Sequence, residues 1–352
     1  VTAPPPHTPR AIGQSGNLAN EDERLQAYEG KRALVTGGLG FIGSNLARAL
    51  LALGCNVAVI DNLAPGLGGN RYNIHGIERE VEAFIGDIRD EKAIRDAVRG
   101  RDFVFHIAGT GSHLDSLDKP FQDLELNVVG TMCVLEATRH ESPEAGFVYA
   151  GSRSEYGAIK TSPVSEDHPL LPTEPNSANK AAAGLQTLAY HQAFGLQTVW
   201  LRLTNIYGPR MLVRQHAGMG FMNLFVRLAV DGGSIRLYGD GSQVRDMVYV
   251  DDCVRAFLLA GLTPEAAGEA LNVGSGAPAS LATIAQALID ATGRGSIECV
   301  PFPEEAKRIE IGDYVADVTK IERLLGWRAE VGLKDGIERT VRFFEEHKDT
   351  YW

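Results

Sequence analysis

The chain has 352 residues, enough to bury a large core and form two lobes, and its 44% hydrophobic and 22% charged content is that of an ordinary globular protein. A formal charge of −11 argues against a nucleic-acid partner, whose phosphates need a basic surface, and no apolar stretch approaches the roughly 20 residues that span a bilayer. The N-terminus shows no basic-then-apolar leader, and Cys55, Cys133, Cys253 and Cys299 fall outside any metal-ligand or disulfide spacing, so a reducing, cytoplasmic setting and no metal site are expected.

Residues 1–30 read as a tail or strap, with Pro4-Pro5-Pro6 and few large apolar side chains, ending in one short helix over Asn20 to Glu29. An apolar strand, Ala33 to Val35, then breaks at Gly37-Gly38-Leu39-Gly40-Phe41-Ile42-Gly43 into a helix with Leu46, Ala49, Leu50 and Leu53 on its apolar side. A second strand, Val57 to Ile60, ends in Asp61, about 20 residues beyond the glycines, where a ribose-binding carboxylate belongs. Gly37 permits the tight turn, Gly40 admits a pyrophosphate, Gly43 lets the helix lie against its strand, and the unpaired helix N–H groups face the phosphates. Asp61 would accept from the ribose hydroxyls and repel a 2′-phosphate, which favours NAD over NADP.

After the loop at Asn62-Leu63-Ala64 a third strand, Val81 to Ile85, leads into Gly86-Asp87-Ile88. Asp87 is placed either to accept from the adenine amino group or to cap the helix Asp90 to Val98. The strand Phe103 to His106 runs into Ile107-Ala108-Gly109, small enough for a cofactor to pass closely; His106 reads as a satisfied strand-end histidine and His113 as an acid/base candidate. A long helix, Pro120 to Arg139, carries Leu124, Val128, Met132 and Leu135 on one stripe, with Asn127 within that surface as a brace for the site or a packing tie. The strand Phe147 to Ala150 delivers Gly151-Ser152-Arg153-Ser154-Glu155-Tyr156-Gly157.

Strands and helices alternate to this point, which predicts an α/β fold with a Rossmann-type doubly wound parallel sheet and ligands outside the carboxyl ends of its strands, where Ser152 points. A helix from Asn176 carries Lys180, and the strand Thr198 to Leu203 follows. Alternation then fails. The expected division is a tail over 1–30, a dinucleotide-binding domain over 31–205, and a mainly substrate-binding α/β lobe over 206–352, with segments returning to the first domain. Its expected elements are helices near Phe221 to Val230, Asp252 to Gly261, Leu281 to Ala291 and Leu333 to Glu346, and strands near Ile235 to Leu237 and Val244 to Val250.

With these residues in view, the chain resembles the extended short-chain dehydrogenase/reductase family, specifically its nucleotide-sugar epimerases and dehydratases. The match runs from residue 30 onward through Thr36-Gly37-Gly38-Leu39-Gly40-Phe41-Ile42-Gly43, Asp61-Asn62-Leu63, Gly86-Asp87-Ile88, His106-Ile107-Ala108, Asn127-Val128-Val129-Gly130-Thr131, Arg202 to Arg210, Gly239 to Asp246 and Asn272-Val273-Gly274. The resemblance implies that NAD takes a hydride from a sugar carbon, usually C4, and returns it. It further implies a YxxxK tyrosine as base, with Ser152 orienting the hydroxyl and Lys180 holding the nicotinamide ribose.

Asn176 stands where that tyrosine belongs, and an amide has no acid/base chemistry near neutral pH. The Tyr156 to Lys160 spacing reads as coincidental. Glu155, His113, or a water held by Ser152, Asn176 and Lys180 could replace the tyrosine. Arg153 and Ser154 occupy the positions of the dehydratase acid pair, against ordinary 4,6-dehydration. By resemblance, Asn205, Arg245, Lys307 and Arg308 grip the substrate diphosphate, since an arginine fork pairs with two phosphate oxygens, and the loop Met211 to Gly220 lines the sugar pocket. The expected function is an NAD-dependent epimerase of a nucleotide-diphospho-sugar, a UDP-sugar first, working as a homodimer; the alternative is a catalytically silent NAD or sugar-nucleotide sensor.

Overall fold

The computed structural model describes residues 21–213, 220–302 and 312–352. Residues 1–20 of the expected tail, Lys307, Arg308 and most of the loop at 211–220 lie outside them, while the short helix expected over Asn20 to Glu29 is present as Glu21–Leu25 followed by a 3-10 turn over Gln26–Tyr28. The strands are β1 (Arg32–Thr36), β2 (Asn56–Asp61), β3 (Val81–Ile85), β4 (Phe103–His106), β5 (Gly146–Ser152), β6 (Gln197–Leu203), β7 (Asn205–Tyr207), β8 (Ser234–Tyr238), β9 (Val244–Arg245), β10 (Met247–Tyr249), β11 (Glu269–Val273), β12 (Ala279–Ser280) and β13 (Ser296–Val300).

Seven of them form one parallel sheet in the order β11-β6-β5-β4-β1-β2-β3, which bears out the doubly wound sheet read from the alternation of elements. The strands are apolar on both faces because helices cover both: Ala33 and Val35 join one core cluster and Leu34 the other. The chain leaves β1 towards β2, while β4 pairs with the opposite edge of β1, so the order reverses beside β1 and a crevice opens above that point. In-register pairs Thr36–Ile60 and Thr36–His106 bring the ends of three strands level there.

The long helix expected over Pro120 to Arg139 runs as Pro120–Leu124, a π-helical turn over Glu125–Val129, and Gly130–Glu141. The wider turn shifts the phase of the side chains. Leu124 and Met132 consequently face outwards, Leu126, Val134 and Leu135 face the core, and Asn127 is buried. The expected single stripe is therefore split.

The helix Pro175–Phe194 is capped at its start by Glu174 and ended by Gly195 in the left-handed conformation. It lies against β6 at Gly184, where a Cβ would come within 2.1 Å of the Trp200 ring. The expected strand Val244 to Val250 is broken: β9 pairs antiparallel with β12, β10 pairs parallel with β7, and the helix Val250–Gly261 starts at once. Asp246 makes the break, because its buried carboxylate turns to accept N–H groups from Ser275 (2.7 Å) and Ala316 (3.1 Å). Sequence reading missed β7, β11, β13 and the helices His113–Asp118 and Thr319–Leu325. Of these, β11 completes the large sheet beside β6. Among the described residues no helix is long and apolar enough to cross a membrane.

Gly184 sets how closely the helix bearing Lys180 approaches the sheet. Gly184→Ala forces helix and Trp200 apart and is expected to cost about 1–3 kcal/mol of stability by overpacking, read by urea unfolding; an unchanged midpoint would show that the helix does not depend on this approach.

Candidate functional site

Three glycines shape the turn after β1, for different reasons. Gly37 has φ +66°, and a Cβ there would meet the Ala108 backbone at 2.9 Å; a Cβ on Gly43 would lie 2.2 Å from the Gly37 carbonyl oxygen. Both are demanded by the chain itself. On Gly40 a Cβ would meet only that carbonyl oxygen, at 3.2 Å, and would otherwise fill the cleft. The helix Phe41–Ala52 starts at Gly40 without a side-chain cap, leaving its N-terminus to an anion.

The cleft above the turn has a volume of about 290 Å³ and is lined by Gly37, Gly40, Phe41, Ile42, Gly43, Asp61, Asn62, Ile88 and Ala108, all expected from sequence. The Asp61 carboxylate accepts the N–H groups of Leu39 (3.1 Å) and Leu63 (2.9 Å), which fixes it beside the turn. Burial raises its pKa above the ordinary value and those two N–H groups oppose the rise. Asp87 stands apart from the lining: it pairs with Arg89 (2.8 Å) and accepts from Asn62 (3.0 Å), and the Arg89 hydrogen bond holds its carboxyl well below the usual range. It does not cap the next helix; Asp90 does.

Under the crevice runs a fixed chain of hydrogen bonds. The Thr36 hydroxyl accepts the N–H groups of Ile107 and Ala108, both at 3.1 Å, so its proton goes to His106 Nδ1 at 2.8 Å. His106 Nε2–H then donates to Thr131 (2.9 Å), and the Thr131 hydroxyl to the Asn127 carbonyl (2.5 Å). Burial, with the Lys180 charge adding to it, pushes the His106 pKa down to about 3. His106 is a neutral strut, in keeping with the sequence reading.

Lys180 is buried and donates to the Ala150 carbonyl at 3.3 Å. Burial lowers its pKa, against the charges of Glu155 and Asp123. It lies directly behind Gly109, where a Cβ would come 3.1 Å from its Nζ and 2.6 Å from Asn127 Oδ1.

Asn176 is turned away from both clefts. Its Nδ2 donates to Asp123 Oδ2 (2.8 Å) and to the Thr110 hydroxyl (2.9 Å) and carbonyl (3.1 Å). Asn179 donates to the other oxygen of Asp123 at 2.8 Å, Asn127 donates there at 3.1 Å, and the Thr110 hydroxyl adds a further bond. The two asparagines of Asn176-Ser177-Ala178-Asn179-Lys180 thus form one clamp around a buried carboxylate. Sequence reading missed Asp123; its signal was an acid one helical turn before Asn127 on an otherwise apolar helix.

A second cavity of about 310 Å³ meets the first at Gly111. Its wall includes His113, Ser152, Glu174, Ser177, Asn205 and Arg245. Ser152 ends β5, and its oxygen accepts both the N–H (3.2 Å) and the hydroxyl (2.9 Å) of Ser154, leaving its own proton for a ligand. Asn205 donates to the Asp246 carbonyl at 3.0 Å, and buried Arg245 donates to the Val244 carbonyl at 3.0 Å.

Glu155 is fully buried behind Ser152, not on this wall; it accepts the Ser152 N–H at 2.7 Å and lies 3.6 Å from Arg202 Nε. Burial outweighs Arg202 and pushes its pKa up to about 8. Tyr156 is buried with its hydroxyl on Asn272 (2.6 Å), and the Lys160 N–H goes to His168, so their spacing builds no site.

Glu174, also missed, meets His113 Nδ1 at 2.8 Å and accepts the N–H groups of Asn176 (2.7 Å) and Ser177 (2.8 Å) and the hydroxyls of Ser116 (2.8 Å) and Ser177. Burial raises its pKa, but the bonds from His113, Ser177 and Ser116 outweigh it and hold the carboxyl at about 2. The readable signal was Glu-Pro-x-Ser at a helix start.

The sequence profile of the NAD dependent epimerase/dehydratase family matches residues 33–274. The chain is 36% identical to a dTDP-glucose 4,6-dehydratase of Streptomyces griseus, covering 91% of this chain and 95% of the relative. It is 33% identical to the UDP-glucose 4-epimerase of Mycolicibacterium smegmatis, covering 89% and 98%. The crystal structure of DesIV, a dTDP-glucose 4,6-dehydratase of Streptomyces venezuelae with NAD bound, superposes with a TM-score of 0.81 at 34% identity, covering 90% of this chain and 98% of that one.

Glu155 predicts a pH effect. A carboxyl at about 8 when folded and near 4.5 when unfolded binds more proton in the folded state between those values, so its contribution is complete below pH 4.5 and is lost as pH rises through 8. Urea unfolding is expected to show stability falling over that window, by an amount on the order of a few kcal/mol, and Glu155→Gln to flatten the fall; equal slopes in both proteins would show the carboxylate already ionised at pH 5.

Proposed function

The chain belongs to the NAD-dependent epimerase/dehydratase family, and on that premise we propose that it is an epimerase of a nucleotide-diphospho-sugar, a UDP-sugar first, acting at C4 through a transient ketone. NAD is its cofactor and, when bound, supplies a hydride acceptor that returns the hydride to the sugar. The observation that carries the reading is the meeting of the two cavities at Gly111, with the glycine turn and Asp61 on one side and Ser152, Asn205 and Arg245 on the other.

In this reading Gly37, Gly40, Gly43 and the N-terminus at Phe41 and Ile42 hold the cofactor pyrophosphate, Asp61 and Asn62 its ribose, and Ile88 and Ala108 its flanks. Asp87 supports this end through Asn62. Lys180 reaches the nicotinamide ribose past Gly109, where Asn127 braces the backbone by accepting the Thr110 N–H at 3.1 Å. Ser152 gives its proton to the reacting oxygen. Asn205 and Arg245, with Lys307 and Arg308, hold the substrate diphosphate. Asn176 and Glu155 act as positioning residues, through Asp123 and Ser152 respectively. The residues at 31–205 supply the cofactor half and also His113, Ser152, Glu174, Ser177 and Asn205 of the second cavity, to which 206–352 adds Arg245.

Two features favour epimerisation over elimination. Arg153 and Ser154 follow Ser152, so no acid stands there to protonate a departing hydroxyl. Glu174, the carboxyl lining the described part of the cavity, is held ionised at about 2. The clamped Asn176 favours a second reading, a binding protein that does not turn sugar over.

Transient NADH absorbance and NMR of products, run with UDP-, GDP-, CDP- and dTDP-sugars in deuterated water, separate these readings. An epimer carrying no solvent deuterium is expected. A deuterated 4-keto-6-deoxy product would make the protein a dehydratase, and a sugar that binds with neither product nor NADH would make it a sensor.

Assembly follows from an exposed apolar face. Phe121 is 81% exposed and Leu185 54%, on helices that pack together, with Leu124 and Met132 beside them. That face fits a second copy of the chain in a four-helix homodimer interface. Phe121→Asp with Leu185→Asp is expected to halve the mass measured by sedimentation; an unchanged mass would rule out this face.

A further inference from the structure

We propose that the His113 imidazole, oriented by Glu174, takes up and returns the hydroxyl proton of the sugar in place of the missing tyrosine. The inference rests on the epimerase reading and names the proton acceptor for it. It starts from what lines the substrate cavity. The chemistry needs a side chain there that gains and loses a proton near neutral pH. Hydroxyls such as Ser152 and Ser177 hold their protons too tightly, an amide such as that of Asn205 has no acid/base chemistry near neutral pH, and a guanidinium such as that of Arg245 is a donor with no acceptor site. Glu174 is held ionised at about 2 by its bonds to His113, Ser177 and Ser116, against the effect of its burial. Among the described residues of the wall histidine is the remaining type, and the one whose unperturbed charge change falls between about pH 5 and 8.

The geometry assigns the two ring nitrogens. Glu174, ionised, can only accept, so the 2.8 Å contact requires a proton on His113 Nδ1. Neutral imidazole then has a bare Nε2. The ring is fixed at one end and open at the other: the Glu174 side chain is 3% exposed and that of His113 46%. Glu174 itself is immobilised by the N–H groups of Asn176 and Ser177 and by Ser116, so the carboxylate that caps the helix also sets the ring. A base oriented by a buried carboxylate is the arrangement that raises a histidine's competence as a proton acceptor in nucleophile-base-acid triads.

The competing groups lie elsewhere. Glu155 is sealed behind Ser152, Asp123 is enclosed by amides, and Lys180 stands behind Gly109. His113 is two residues from Gly111, where the two cavities join.

The step balances without a further reagent. As the carbinol C–H bond breaks and its electron pair leaves as hydride to NAD, the O–H bond breaks, its proton passes to Nε2, and the C=O bond forms. On return the carbonyl carbon accepts the hydride on either face and Nε2 gives the proton back to oxygen. Ser152 donates to that oxygen throughout, and Glu174 keeps the ring from turning.

The test uses the NAD-loaded full chain, with UDP-glucose as the first probe. His113→Ala is expected to lower kcat by roughly 10²–10⁴-fold with UDP-glucose affinity by calorimetry left near wild type, and free imidazole is expected to restore part of the rate. His113→Gln, which keeps a donor for Glu174 and so guards against misfolding, is expected to be equally slow and not rescued. Independent of turnover, ¹⁵N NMR of the neutral imidazole is expected to show Nδ1 protonated and Nε2 bare, and Glu174→Gln to abolish that bias. Wild-type turnover by either variant, failure of imidazole to rescue His113→Ala, or a protonated Nε2 in the neutral ring would overturn the assignment. A wild-type protein that binds sugar without turnover would instead remove the epimerase reading on which it rests.

Discussion

Asp123 is buried with no cation at ion-pair distance among the described residues, and its charge is met by the amides of Asn127, Asn176 and Asn179 and the hydroxyl of Thr110. A buried carboxylate left unpaired costs several kcal/mol, so these donors are obligatory partners rather than embellishments. They come from three segments: the loop after β4, the π turn of one helix, and the first turn of the next. Those segments carry Gly109 and His113, Asn127, and Lys180. One negative charge thus holds together the pieces between which the cofactor and the sugar are to meet.

This constraint explains how a tyrosine can be absent without loss of the scaffold. A phenol at position 176 offers one hydroxyl donor, where the two N–H groups of the amide serve both Asp123 and the Thr110 carbonyl. Lys180 keeps its place regardless, because its ammonium is anchored on the Ala150 carbonyl. The helix start therefore serves the fold, and proton chemistry falls to the opposite wall, where Glu174 does double duty as helix cap and partner of His113.

What could be read from sequence is what is local. The glycine turn, Asp61 and the buried strands are set by short-range periodicity and backbone sterics, and they appear where the sequence places them, nine of the lining residues included. Asn176 was legible as a missing tyrosine but not as a clamp, because Asp123 lies 53 residues away and belongs to a helix whose phase is shifted by a π turn. His113 and Glu174, 61 residues apart, meet only once their loops converge above the sheet. The strand expected over 244–250 failed for the same reason: the partners that pull Asp246 inward sit at Ser275 and Ala316. Side chains whose partners are remote leave little trace in a local pattern.

The site also resolves a conflict set by composition. On the proposed reading a chain of net charge −11 receives two pyrophosphates, so its acids have to be kept from facing them. Each nearby carboxyl is handled differently. Asp123 is enclosed by amides, Glu174 is consumed by a helix start and a histidine, and Glu155 lies behind β5 with burial pushing its pKa up to about 8, so it is largely uncharged at neutral pH. Among the described residues, the surface left towards a ligand includes backbone N–H groups at the Gly40 turn, the Ser152 hydroxyl, the His113 ring, the Asn205 amide and the Arg245 guanidinium. Asp61 is the exception that specificity demands: a carboxylate fixed by two backbone N–H groups at the far end of the cleft, where a vicinal diol is welcome and another phosphate is not.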